Sequence, residues 1–218
     1  MRGFVLVCIC VGLPMLPAFA AESVDWELKR DREGIQVYTR RVEGSPHAAV
    51  RSVTVIDGVR VSSMIALLED AEACPNWADR CAESRVHRRL APNESLIYTL
   101  NDMPFPVKDR DVLAHVIWSQ DADTLTVTMN SYATEGELEP INGRLRLTEA
   151  TVRWQFRPLP DGAVEVTNEA HINPGSALPG WVTNMLLVDT PFETLQAFRE
   201  AVRRPEYADI SYDFVIEP

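Results

Sequence analysis

One stretch near the C-terminus, Leu178 to Arg203, limits what the rest of the chain can fold into. Apolar residues recur there at Trp181, Met185, Val188, Phe192, Leu195, Phe198 and Val202. Steps of three and four trace one face of an α-helix. Pro179-Gly180 punctuates its start and Pro205 stops it. Pro191 lies inside, where a proline removes a backbone hydrogen bond and crowds the turn before it. A kink near Asp189–Thr190, or two helices in line, is therefore expected. Nearly everything from Ile35 to Ile172 reads as strand. A single amphipathic helix that follows so many strands needs a sheet to lie on. The expected architecture is α+β: a curved antiparallel β-sheet wrapped around a long C-terminal α-helix, with a cavity left between them.

The strands are expected at Ile35–Arg40, Ala48–Ile56, Glu83–Leu90, Ser95–Asn101, Asp111–Ser119, Thr124–Tyr132 and Val164–Ile172. Shorter alternations occur at Arg144–Leu147 and Val152–Arg157. Apolar and polar residues alternate along them, giving each strand a dry face and a wet one. Short turns between consecutive strands favour an antiparallel meander. Val24–Arg32 reads as a short charged helix. Val61–Asp70 reads as a second helix that buries Met64, Ile65, Leu67 and Leu68. The tail from Glu206 is either an extra strand or a packed extension. There is no repeat or linker, so residues 21–218 are read as a single domain.

Residues 1–20 read as a secretory signal peptide: Met1-Arg2, an apolar run from Phe4 to Leu16, then the small-x-small site Ala18-Phe19-Ala20. The protein is therefore expected to be exported, either periplasmic or secreted. Loss of that segment removes Arg2 and no acid, taking the net charge from −11 to −12. A chain this acidic is not steered to nucleic acid or to anionic lipid surfaces by its net charge. Cys8 and Cys10 would leave with the signal. Cys74 and Cys81 remain, and in an oxidising compartment they are expected to form a disulfide.

Three segments resemble the START family, the lipid-transfer domains of helix-grip fold. Met103–Val112 (MPFPVKDRDV) is similar to the family's proline-rich turn, which enters a strand through an Arg-Asp pair. Ile141-Asn142-Gly143-Arg144-Leu145 fits the turn before a later strand. His171–Asn184 (HINPGSALPGWVTN) looks like the entry to the last helix, with Asn173 where an Asp is usual and Ser176 where a second Gly is usual. A weaker match at Trp26, Gly34, Ile35, Val37 and Tyr38 fits the family's start. The resemblance covers about residues 24–203. It implies non-catalytic binding and transfer of a hydrophobic small molecule, such as a lipid or sterol-like compound. The cavity would be closed by the helix and adjacent loops, with transient membrane contact. Several members carry a cavity-facing arginine five residues after the aspartate of the first turn. Val116 stands there in this chain, preceded by His115, so the family's head-group preference does not carry over.

Candidate lining residues are Trp181, Met185, Val188 and Phe192 on the helix, with Tyr98, Val116 and Trp154 on strands. Core filling predicts the same residue types. The charged turn at Arg110 and Asp111 either stitches a loop to its neighbour or offers a polar contact to a ligand head. No catalytic residue, cofactor or metal ligand set is read from the chain. His47, His87, His115 and His171 are scattered, and there is no GxSxG, HExxH or glycine-rich phosphate loop. The alternatives are a helix-grip cyclase, aromatase or hydrolase-like enzyme using the same cavity, and a solid-cored domain that binds a protein.

Overall fold

A computed structural model describes residues 25–217; the signal-peptide reading falls outside them. Ten strands form one sheet: β1 (Glu27–Arg32), β2 (Ile35–Arg40), β3 (Ala49–Ile56), β4 (Cys81–Ala91), β5 (Glu94–Asn101), β6 (Arg110–Gln120), β7 (Val127–Ala133), β8 (Leu145–Arg146), β9 (Ala150–Pro158) and β10 (Val164–Ile172). The strand order is β1-β2-β3-β10-β9-β7-β6-β5-β4. Every pairing is antiparallel except that of β8, which runs parallel to β6 at Arg110–Asp111. The helices are α1 (Val61–Glu69), α2 (Gly180–Asn184) and α3 (Thr190–Ala201), the last resting on β2 and β3. This is the curved antiparallel sheet with its C-terminal helix that the alternation predicts.

Two segments differ from the sequence reading. The stretch read as a charged helix contains the edge strand β1. A two-residue turn at Glu33-Gly34, with φ of 53° and 72°, folds it onto β2. Two positive φ values match the twist of a tight hairpin, and cross-strand pairing then outweighs weak helix propensity. β7 starts at Val127 and not at Thr124. Ahead of it the Asp121 carboxylate accepts the amides of Asp123 (3.1 Å) and Thr124 (2.7 Å) and the Thr124 hydroxyl (2.8 Å). Leu125 then takes φ 54°, which no strand residue adopts.

The long helix is interrupted as Pro191 requires. Between α2 and α3, Met185–Asp189 form a π-helical turn in which the Thr190 amide donates to the Met185 carbonyl. With no N–H on Pro191, the ladder widens by one residue in the preceding turn.

The main core lies between sheet and helices. Trp154, Phe156 and Phe198 stack with centroids 5.1–6.3 Å apart. Trp77 meets Trp154 and Phe198 edge-on, at 6.5 and 5.6 Å. The tail is a packed extension. Ile210, Tyr212, Phe214 and Val215 lie against this core, and the Glu217 carboxylate accepts the Ser62 amide (2.9 Å) at the start of α1.

Cys74 and Cys81 are disulfide-bonded and close the loop that carries Trp77. Cross-linking so short a loop restrains the unfolded chain by about 2 kcal/mol. The double variant Cys74→Ser/Cys81→Ser is accordingly expected to lose about that much stability in urea unfolding. An unchanged midpoint would show that the bond restrains nothing.

Candidate functional site

The strand registers separate two faces. Ala114 opposes Ala133, Val116 opposes Ser131, and Trp118 opposes Met129; these continue to Trp154, Val152 and Ala170 on β9 and β10. Residues directly opposite share a face, so all of these point inward, toward the helices. Ile97 and Val112 follow by pairing with Ala114 and Thr99.

The inner face is finished unevenly. Ile35, Val37, Phe156, Val166 and Trp118 are sealed under helices and tail, each at most 1 % exposed. At the other end, where the chain leaves β10, the inward-facing Ile97, Val112, Ala133, Val152, Ala170 and Ile172 are only half-buried. The side chains are small there: Ala114, Ala133, Ala150 and Ala170 lie on four neighbouring strands. An alanine facing a helix across a sheet leaves space that a valine or leucine would fill. The half-buried apolar strip so formed, a trough lined by small side chains, runs along the edge of the packed core, which Ile97, Val152 and Ala170 touch.

Two buried inner-face hydroxyls, those of Ser52 and Ser95, have no hydrogen-bond partner among the described residues. His115 and His171 face outward, bonded to Glu94 (2.6 Å) and to the Ser45 hydroxyl (3.0 Å).

The structure brings Val116, Trp154 and Phe192 into one buried cluster. Val188 is buried as well, Met185 is half-buried, and Trp181 is 55 % exposed at the start of α2. Tyr98 is fully buried but on the opposite face, in a second cluster with Leu96, Leu100 and Leu113 that Leu138 and Ile141 cover. Its hydroxyl donates to Asp111 (3.2 Å) and accepts from Arg144, and burial raises its pKa.

Arg110 and Asp111, adjacent on β6, point to opposite faces. Asp111 is fully buried on the outer side and takes a two-pronged bond from Arg146, at 3.0 and 3.1 Å. Arg110 is 4 % exposed on the inner side, at the open end of the trough. Its Nη2 donates to the Ser176 hydroxyl (3.1 Å) and its Nη1 to the Lys108 carbonyl, while Nε has no partner among the described residues. Burial lowers its pKa. The turn of residues 103–109 and the loop of residues 173–179 are thereby joined at the rim. Gly175 belongs to that loop; it has φ 74°, and a Cβ there would meet a Leu145 methyl at 2.5 Å.

The START domain model matches residues 16–207. An uncharacterized protein of Pseudomonas aeruginosa is 32 % identical over 204 residues, covering 94 % of this chain and all of that one. Human START domain-containing protein 10 is 25 % identical over 165 residues, which is 74 % of this chain and 56 % of the human protein. Among solved structures, a fragment of the STAR-related lipid transfer protein from Xanthomonas axonopodis superposes with TM-score 0.74 at 32 % identity, covering 82 % of this chain and 99 % of that one.

Proposed function

This chain belongs to the START domain family, and from that premise we propose that it binds and transfers a hydrophobic small molecule, a lipid or sterol-like compound, without chemically changing it. The observation that carries this reading is the strip of inward-facing apolar side chains, from Ile97 to Ile172, that stays only half-buried among the described residues. A ligand lying there gains about 25 cal/mol per Å² of apolar surface removed from water. About 400 Å² would contribute roughly 10 kcal/mol before association costs, enough for micromolar binding. The Xanthomonas relative is by name a lipid transfer protein, which supports the same reading. The outward placement of His115 and His171 gives the inner face no base from either, which favours a carrier over a catalyst.

Ligand exchange takes place in transient contact with a membrane. Phe105, 93 % exposed in the 103–109 turn, and Trp181, in α2 just after the 173–179 loop, flank the rim contact between Arg110 and Ser176. Aromatic side chains of this kind suit a bilayer interface. Among the described residues, no helix is long and apolar enough to cross a membrane. The disulfide is consistent with export, to periplasm or outside.

Native mass spectrometry of protein taken from its own compartment should show an apolar molecule leaving with it. Ala133→Phe should fill the trough. Because Ala133 is half-buried, the melting temperature should hold while affinity for Nile red falls at least about tenfold. Unchanged dye binding would move the site elsewhere.

A further inference from the structure

We infer that the trough takes an amphiphile with an anionic head, a carboxylate or phosphate held by the guanidinium of Arg110; this rests on the carrier reading above. Val116, inward on the same strand, carries no charge, and the inner face gains its charge from a different position. Arg110 opens β6, two residues before the half-buried Val112, and pairs with Asn101. Its neighbour Asp111 cannot neutralise it, because that carboxylate lies on the other face and is engaged by Arg146. Asp109, next in the chain, has Oδ1 taken by the Met103 amide (3.0 Å). Among the described residues no carboxylate comes within ion-pair distance of Arg110.

Guanidinium groups buried to this degree are normally paired with an acid, since an isolated charge out of water is expensive. Here two neutral oxygens serve in its place, with the Asp109 charge acting from beyond ion-pair distance, and among the described residues the Nε donor has no hydrogen-bond partner. The planar fork of arginine matches the two oxygens of a carboxylate or phosphate. One of its present partners, Ser176, belongs to an exposed loop residue and can be displaced by an incoming head. The apolar chain then runs from the rim over Val112 and Ile97 toward Ala133 and Ala170. A free anion has no such anchor, and the net charge of −11 repels it.

Titration calorimetry with oleate, 1-oleoyl lysophosphatidate, oleyl alcohol and inorganic phosphate tests this. One or both acids are expected to bind at least about tenfold tighter than the alcohol, the effect of a charge-assisted pair. Their ranking separates carboxylate from phosphate. Arg110→Gln should erase that advantage, so that acids and alcohol bind the variant alike, while Arg110→Lys keeps part of it. Should Arg110→Gln fail to fold, the ratio of acid to alcohol in the native protein decides alone. Equal binding of acids and alcohol would overturn the role of Arg110 and leave the carrier reading standing. Failure of every chain-bearing probe to bind would overturn both. Inorganic phosphate binding as tightly as the acids would mean a free-anion site and overturn the amphiphile.

Discussion

Asp111→Ala is expected to lower stability by about 3–5 kcal/mol, a large share of what a domain of this size possesses. The cost does not come from the lost attraction alone. Arg146, with a side chain only 9 % exposed, would keep its charge with no counter-ion. Tyr98 would lose the acceptor for its hydroxyl. The same carboxylate anchors the segment of residues 138–147 across the outer face. Arg146 Nη1 also donates to the Leu138 carbonyl (2.8 Å), and Leu138 and Ile141 cover the cluster of Leu96, Tyr98, Leu100 and Leu113. Removing both charges is a different experiment. Asp111→Leu combined with Arg146→Met leaves no orphaned ion and should recover most of the loss, since apolar replacements of buried pairs are often neutral or better. Urea unfolding of the three variants reads this directly. A single-variant loss below about 1 kcal/mol would mean that water reaches Arg146 and that the outer cluster is not sealed. Because this network lies on the far side of the sheet from the trough, Asp111→Ala protein held well below its unfolding midpoint should bind Nile red as the parent does.

That separation of faces marks how far the sequence could be read. The alternation of Val152, Trp154 and Phe156 with Arg153, Gln155 and Arg157 announced an inner and an outer side, and the sheet obeys it. On β5 both sides are buried, so apolar character no longer tells which way Tyr98 points; only the register with β6 does. Arg110 and Asp111 could have been split from the sequence alone, since neighbours on a strand face opposite ways. The trough left a fainter signal. Alanine is a poor strand former, yet Ala114, Ala133, Ala150 and Ala170 recur in four strands. Their meaning appears only when pairing sets them side by side. Trp181 fits the apolar periodicity of the last helix but lies beyond the part that the core grips. Helical phase gives direction around an axis and says nothing about where the neighbouring sheet ends.

The last helix should exchange its amide hydrogens in two blocks, with those of residues 180–189 at least about 100-fold faster than those of 192–201. α3 is held from several directions. Phe192, Leu195, Phe198, Ala201 and Val202 are each no more than 5 % exposed. The Thr190 hydroxyl donates to Asp79 (2.7 Å) in the disulfide-closed loop, and Arg30 of β1 bonds Asp189 (2.6 Å), where the π turn joins α3. Gln196 and Arg199 reach the hairpin at Glu33, at 2.9 and 2.7 Å. Lifting α3 would expose three large side chains and two small ones, on the order of 10 kcal/mol at 2–3 kcal/mol for each large one. That equals the stability of a typical domain, so an opening of this kind amounts to unfolding. α2 has no comparable anchorage. Val182 is its one buried residue, and the Thr183 hydroxyl bonds only back to Pro179. The π-helical turn beside Pro191 is the natural break between the two. In the carrier reading, ligand passage would then move the loop of residues 173–179, α2 and the part of the π turn ahead of Asp189 while α3 stays docked, the swing of the entire helix that its unbroken apolar face suggests being too costly. Uniform protection from 180 to 201 would contradict this and return the gate to the helix as one body.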